Sequence, residues 1–131
     1  MPYKLSHNSL KNREGVDSRL IAICDLALQY STIDFGIPKT GGVRSDEEQY
    51  RLYLKGKSAL DGKLKISKHQ KGLALDVFAY VDGKASWKPE HLTPVALAFL
   101  KAAQVLGYHL HWGGFWNSFI EFVVLTWIKR R

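Results

Sequence analysis

The stretch SKHQKGLALDVFAY, residues 67–80, contains a histidine in a polar segment and an aspartate inside an apolar run. From Leu73 onward apolar side chains recur at every second position, which is typical of a β-strand. If Leu75 and Val77 face the core, Asp76 faces the other side of the strand, where we expect the floor of a cleft. A buried carboxylate is costly unless a cation, several N–H donors or a metal ion accompanies it. The strand therefore predicts a partner for Asp76.

His69 is the candidate partner, seven residues before Asp76. Gly72 lies between them and lets the loop fold back, so that the imidazole can meet the carboxylate. One nitrogen ligand and one oxygen ligand suit zinc. The spacing also leaves open a surface histidine and an aspartate paired with lysine or arginine.

Three helices are predicted from capping signals and from apolar residues at helical spacing. They cover residues 17–30, about 46–55, and 94–106. The first follows Asp17 or Ser18 as its capping residue. The second begins at Ser45 and Glu48, which form a capping box, and it ends before Gly56.

The remaining signals complete an α+β architecture. Thr93 and Pro94 predict the start of the third helix, and Gly107 predicts its end. Asp82 and Gly83 are typical of a hairpin turn after the central strand. Strands are predicted near residues 73–78, 84–87, 108–112 and 119–127, the last two separated by a pair of glycines. We expect a small antiparallel sheet packed with about three helices.

Composition limits the class of protein. The length of 131 residues fits one domain, residues 1–131, and 46% hydrophobic residues exclude a disordered chain. The net charge of +7 favours polyanions, whether nucleic acid, anionic lipid or an anionic cell-wall polymer. Cys24 has no partner for a disulfide and fits a small core residue. We expect no secretory signal, because no apolar segment follows Met1, and no transmembrane segment, because residues 119–128 are too few.

The pattern Ser67-x-His69-x-x-Gly72-x-Ala74-x-Asp76 resembles the SxHxxGxAxD zinc motif of the LAS-type metallopeptidases. These include D-Ala-D-Ala carboxypeptidases and phage L-alanyl-D-glutamate endopeptidases. Phage endolysins of this family are also similar in the segments TIDFGIPKTGGVRSDEEQYRLYLKGKS, VFAYVDGKASW and HWGGFWNSF. The resemblance covers almost the whole chain. It implies a LAS/hedgehog-type peptidase fold and a Zn²⁺ cofactor.

The resemblance also implies a role for each matching residue. His69 and Asp76 match the first two zinc ligands, and Arg44 matches an arginine that holds the substrate as charge develops on it. Ser67 matches the motif serine, which we expect to form hydrogen bonds at the substrate site rather than act as a nucleophile. Glu121 replaces the family's acidic general base.

The chain departs from the family at two positions: Phe115 stands where the relatives' WGGDW segment has an aspartate, and a second departure follows Glu121. Relatives carry the third zinc histidine three positions after the acid, as in DxPHFE, but here Val124 occupies that position and cannot bind metal. His109 or His111 on the adjoining strand is one alternative ligand, since alternation puts both on one face. The other alternative is an altered tail with an incomplete zinc site. A reading-frame change would explain such a tail, and the nucleotide sequence would test that hypothesis.

The function predicted from the sequence is that of an endolysin-type peptidoglycan peptidase, which hydrolyses the bond between L-Ala and D-Glu of the stem peptide with zinc. We expect a monomer that remains in the host cytoplasm until it is released to the cell wall. One alternative is a catalytically inactive relative that keeps the fold and the cell-wall binding. A nucleic-acid binder is the other, but only the charge favours it, since the sequence has no helix-turn-helix, RNP or zinc-finger pattern.

Overall fold

A computed structural model describes residues 3–116 and 119–124, with the side chains of residues 3–112 and of Phe122. The helices are α1 (His7–Asn12), α2 (Ser18–Tyr30), α3 (Asp46–Leu54) and α4 (Pro89–Leu106), with a short 3₁₀ helix at Lys68–Lys71. The strands are β1 (Asp34–Gly36), β2 (Ala74–Val81), β3 (Lys84–Ser86), β4 (Leu110–Trp116) and β5 (Phe119–Val124).

The sheet is antiparallel at each described strand pair and is built around β2. Its order is β1-β2-β5-β4, and β3 pairs with the end of β2. Asp82 and Gly83 join β2 to β3 with φ angles of 53° and 76°, as a tight hairpin turn requires. The predicted hairpin and the predicted α+β class with a small antiparallel sheet are therefore confirmed.

Local capping explains where the first three helices begin. Asp17 caps α2, and Ser45 accepts a hydrogen bond from the N–H of Glu48 to form the predicted capping box of α3. The six-residue α1, capped by Ser6, was not predicted as a separate helix. It is too short for apolar residues to establish a helical period. The described chain thus has four α-helices rather than about three.

The core lies between the sheet and the helices α2 and α4. Leu75 and Val77 of β2 are fully buried, as predicted. The rings of Phe99 on α4 and Phe122 on β5 stack with centroids 4.2 Å apart. Cys24 on α2 is also buried, and this burial raises the pKa of its thiol to about 12. Its predicted role as a core residue is confirmed.

Helix α4 begins earlier than predicted. The sequence indicated a start at Thr93 and Pro94, but the helix starts at Pro89, and Pro94 lies inside it. The fixed φ of Pro89 suits the first helical position, and Leu92, 1% exposed, buries the added turn against the core. The hydroxyl of Thr93 donates to the Pro89 carbonyl rather than capping a helix. Among the described helices, none has the length and hydrophobicity needed to cross a membrane.

The glycine pair between the last two strands also differs from the prediction. Gly113 and Gly114 lie inside β4, where the pairing with β5 shifts between Trp112 and Phe115. Glycine is common at such a bulge because it accepts the local change in backbone angles. The predicted last strand is confirmed to Val124, and its residues 125–127 lie outside the described part of the chain.

Candidate active site

The 3₁₀ helix between α3 and β2 fixes His69 in the interior. Ser67 caps this helix, since its hydroxyl accepts the His69 N–H at 3.1 Å. The side chain of Gln70 in turn accepts the Ser67 N–H at 2.8 Å, and Gly72 ends the helix with a φ of 72°. His69 is 0% exposed as a result. The hydroxyl of Ser67 thus holds the His69 backbone, and its contact with substrate stays a prediction.

The imidazole of His69 is oriented toward Asp76. Its Nδ1 lies 2.9 Å from the carbonyl oxygen of Gly42. Because a carbonyl can only accept, Nδ1 must carry the proton of this hydrogen bond. The other nitrogen, Nε2, lies 3.2 Å from Oδ1 of Asp76. The structure therefore brings together the two residues that the sequence paired.

Asp76 also has a positively charged partner, Arg44. Its Oδ2 accepts a hydrogen bond from Nη2 of Arg44 at 3.0 Å. The side chains of Asp76 and Arg44 are 9% and 10% exposed, so this ion pair is largely shielded from water. The backbone N–H of Asp76 donates to the carbonyl of Gly41 at 2.8 Å. The sequence offered histidine and arginine as alternative partners for this carboxylate, and the structure contains both.

Arg44 is held on several sides. Its Nε donates to the Thr40 carbonyl at 2.8 Å, and its Nη1 donates to Oε1 of Gln49 at 3.0 Å. Its own backbone N–H donates to the carbonyl of His69 at 3.2 Å. A guanidinium fixed in this way can keep a carboxylate in one orientation. The predicted contact between Arg44 and the substrate stays a prediction.

Strand pairing sets the position of Glu121. The register of β2 and β5 places Glu121 directly opposite Asp76, and that of β4 and β5 places Val124 opposite Leu110. Directly opposed residues of an antiparallel pair are near neighbours. The register therefore makes the backbone of Glu121 a neighbour of the backbone of Asp76, and its role as the general base stays a prediction.

The two alternative histidines do not join this pair. His109 precedes β4 and His111 lies on it, and both are exposed. The intervening strand β5 separates β4 from β2. Among the residues whose side chains the structure describes, a set that does not include Glu121, no three His, Cys, Asp or Glu side chains form a group able to hold a metal ion. The suggestion that His109 or His111 supplies the third ligand is therefore not supported.

Comparisons with known proteins agree with this arrangement. A family model described as phage L-alanyl-D-glutamate peptidase matches residues 1–122. The chain belongs to this peptidase family. The predicted membership of the LAS-type peptidases is confirmed, and so is the predicted class of enzyme, a peptidase. The match ends two residues before Val124, so it does not include the position where the sequence departs from the motif.

Two relatives support the assignment. The L-alanyl-D-glutamate peptidase of Escherichia phage T5 is 34% identical over 119 residues, which span 90% of this chain and 85% of the relative. The crystal structure of the Serratia marcescens L-Ala D-Glu endopeptidase ChiX superposes with a TM-score of 0.79 at 29% identity. That superposition covers 93% of this chain and 90% of ChiX. Sequence and fold thus place the chain among peptidases over nearly its whole length.

The His69–Asp76 pair fits a zinc ion in its donor chemistry. Zinc binds imidazole nitrogen at about 2.0–2.1 Å and carboxylate oxygen at about 2.0–2.2 Å, so two ligands at a tetrahedral angle lie about 3.3–3.5 Å apart. Nε2 and Oδ1 are 3.2 Å apart. A hydrogen bond from the other imidazole nitrogen to a backbone carbonyl is also typical of zinc-binding histidines. His69 and Asp76 would therefore supply two ligands.

Sequence reasoning missed the contacts that orient these ligands. The carbonyl of Gly41 accepts the backbone N–H of Asp76, and the carbonyl of Gly42 accepts a hydrogen bond from Nδ1 of His69. The packing around Gly42 is close, since a Cβ atom there would lie 2.1 Å from the carbonyl oxygen of Asn12. The doubled glycine before Arg44 was the available signal for such close packing. Gln49 was missed as well, although a polar residue on the inner face of a helix needs partners.

Proposed function

We propose that this protein is a zinc-dependent peptidase that hydrolyses the bond between L-Ala and D-Glu in peptidoglycan stem peptides. The observation that carries the proposal is the buried pair of His69 Nε2 and Asp76 Oδ1, 3.2 Å apart. The names of the two relatives support the choice of scissile bond. The positive net charge of the chain favours an anionic cell-wall substrate.

Each site residue has a separate task in this proposal. His69 and Asp76 would bind the zinc ion. Arg44 holds Asp76 in place, and the positive charge of Arg44 favours the oxyanion that develops on the substrate. A zinc ion held there would act as a Lewis acid and would make a water molecule a better nucleophile. Glu121, whose register position opposite Asp76 supports the assignment, accepts the proton of the attacking water and passes it to the departing amine of D-Glu.

We also propose that the protein is a monomer that stays in the host cytoplasm until it is released to the cell wall. A cell-wall hydrolase of a phage has its substrate outside the cytoplasm, so its action depends on the timing of release. Fractionation of infected cells before and after lysis would test this proposal. Early activity in the wall fraction would contradict it.

The scissile bond can be tested on purified peptidoglycan. We expect the protein with zinc to release peptides with a new D-Glu amino terminus and to leave L-Ala carboxyl termini on the glycan strands. Mass spectrometry of the fragments identifies both ends, EDTA should abolish the cleavage, and added zinc should restore it. A zinc-saturated protein that cleaves nothing, or cleaves another bond, contradicts the proposal.

A histidine at position 124 separates the proposal from the inactive-relative alternative. The Val124→His variant supplies the residue type that relatives carry there, and Val123→His is the matched control one position away. If the wild-type protein is inactive and only V124H cleaves, the chain is a relative with an incomplete site. Cleavage by the wild type itself supports the proposal.

A further inference from the structure

A buried glutamine connects the site arginine to the loop that follows α3. Gln49 is 0% exposed, and its Oε1 accepts the hydrogen bond from Nη1 of Arg44 at 3.0 Å. Its Nε2 donates to the carbonyl of Leu60 at 2.7 Å and to the hydroxyl of Ser58 at 2.9 Å. Both ends of one amide are therefore engaged, one with the site and one with the loop.

The burial of Gln49 is informative because no apolar side chain of α3 is fully buried; Tyr50 and Leu52 are only partly buried. Gln49 is the buried residue of this helix. An apolar residue would gain more free energy from burial, and a buried amide is tolerated only when its hydrogen bonds are made. The contacts of the amide group, rather than the packing of its methylene groups, therefore account for a glutamine here.

The loop closes over Gln49 from the other side. Gly62 has a φ of 81°, and a Cβ atom at this position would lie 2.9 Å from Cγ of Gln49. The carbonyl of Gly62 accepts a hydrogen bond from Nε2 of Gln70, inside the 3₁₀ helix that carries His69. The loop, Gln49 and the helix of His69 thus form one connected unit.

We propose that Gln49 is a positioning residue for Arg44. The guanidinium is held at Nε by the Thr40 carbonyl, at Nη1 by Gln49 and at Nη2 by Asp76. Rotation about the Nε–Cζ bond would exchange Nη1 and Nη2, and it requires the Gln49 contact to break. Gln49 therefore keeps Nη2 on Oδ2 of Asp76 and leaves Oδ1 directed at His69. The kinetic consequences rest on the proposed function, but the positioning itself does not.

The positioning is tested by nitrogen-15 NMR of the arginine side chains, which needs no activity. We expect separate Nη1 and Nη2 signals for Arg44 in the wild type and merged signals in Gln49→Met, which keeps the volume and removes the acceptor. Gln49→Glu keeps an acceptor for Nη1 and should retain separate signals. Gln104→Met, an exposed site on α4, is the matched control. Separate signals in Q49M, or merged signals in both Gln49 variants, would overturn the proposal.

Kinetics supply the second readout. We expect Q49M to lower kcat by about 10- to 100-fold, the range typical of residues that orient metal ligands, with KM changed by less than about threefold. Q49E should recover most of this loss. When Arg44 is already replaced by lysine, adding Q49M should lower kcat by less than about a further twofold. If the kcat losses of the two single variants instead multiply in the double variant, Gln49 acts independently of Arg44. If the wild type has no activity, the proposed function fails while the NMR result still decides the role of Gln49.

Discussion

Replacement of His69 by alanine is expected to lower kcat/KM for peptidoglycan cleavage by at least about 1000-fold. The substitution removes the nitrogen ligand of the proposed zinc pair, and a bound metal ion contributes several kcal/mol to transition-state stabilisation. A loss of about 4 kcal/mol corresponds to a factor of about 1000 in rate. The measurement is fragment release from purified peptidoglycan at saturating zinc, with the zinc content of each preparation determined in parallel.

His7→Ala is the control for this substitution, because His7 is an exposed histidine on α1. We expect H7A to retain wild-type zinc content and activity. Since His69 is fully buried, the melting temperature of H69A must be measured to show that the variant is folded at the assay temperature. A folded H69A that keeps more than a tenth of wild-type kcat/KM would exclude a catalytic zinc at this position.

The largest loss of stability is expected for Gly42→Ala, about 3 kcal/mol in the free energy of unfolding. The added Cβ would lie 2.1 Å from the carbonyl oxygen of Asn12, so relief of this overlap requires a shift of backbone. The same shift would move the Gly42 carbonyl away from Nδ1 of His69. Urea unfolding of the metal-free protein measures the stability, and zinc titration measures the effect on the site.

Gly107→Ala is the matched control for the steric effect. Gly107 ends α4 with a φ of 78°, and a Cβ atom there would meet no other atom within 4 Å. The Gly107→Ala variant should therefore lose only about 1–2 kcal/mol in the free energy of unfolding, because alanine disfavours the left-handed backbone conformation. Its zinc affinity should not change. Equal losses for both variants, with equal zinc affinities, would show that close packing at Gly42 does not support the site.

The elements that could be predicted from the sequence are those specified by neighbouring residues. The alternation in β2, the capping box of Ser45 and Glu48, and the Asp82–Gly83 turn each depend on a few adjacent positions. The predicted start of α4 was wrong because burial of Leu92 favours an additional turn of helix before Pro94. That burial is a tertiary effect, which a local capping signal does not include.

The same distinction applies to the site. The sequence paired His69 with Asp76 because they lie seven positions apart with Gly72 between them. The contact between Arg44 and Asp76 spans 32 residues, and that between Gly42 and His69 spans 27. Such contacts depend on how loops pack against β2, and no residue spacing reports that packing. Gln49 illustrates the limit, since its role follows only from the loop residues that close over it.

Val124 lies just beyond the part of the chain that matches the family. The family match extends through residue 122, and the backbone register keeps Glu121 opposite Asp76. Val124 lies at the end of β5, while His69, Asp76 and Arg44 keep the contacts that hold them together.

The most direct test of a zinc site at His69 and Asp76 is a crystal structure of the zinc-soaked protein with anomalous data collected at the zinc edge. We expect one anomalous peak about 2.0–2.2 Å from both His69 Nε2 and an Asp76 carboxylate oxygen. The same map identifies whichever group occupies the third ligand position. Full zinc occupancy elsewhere, with His69 and Asp76 still in direct contact, would contradict the assignment of this pair as the metal ligands.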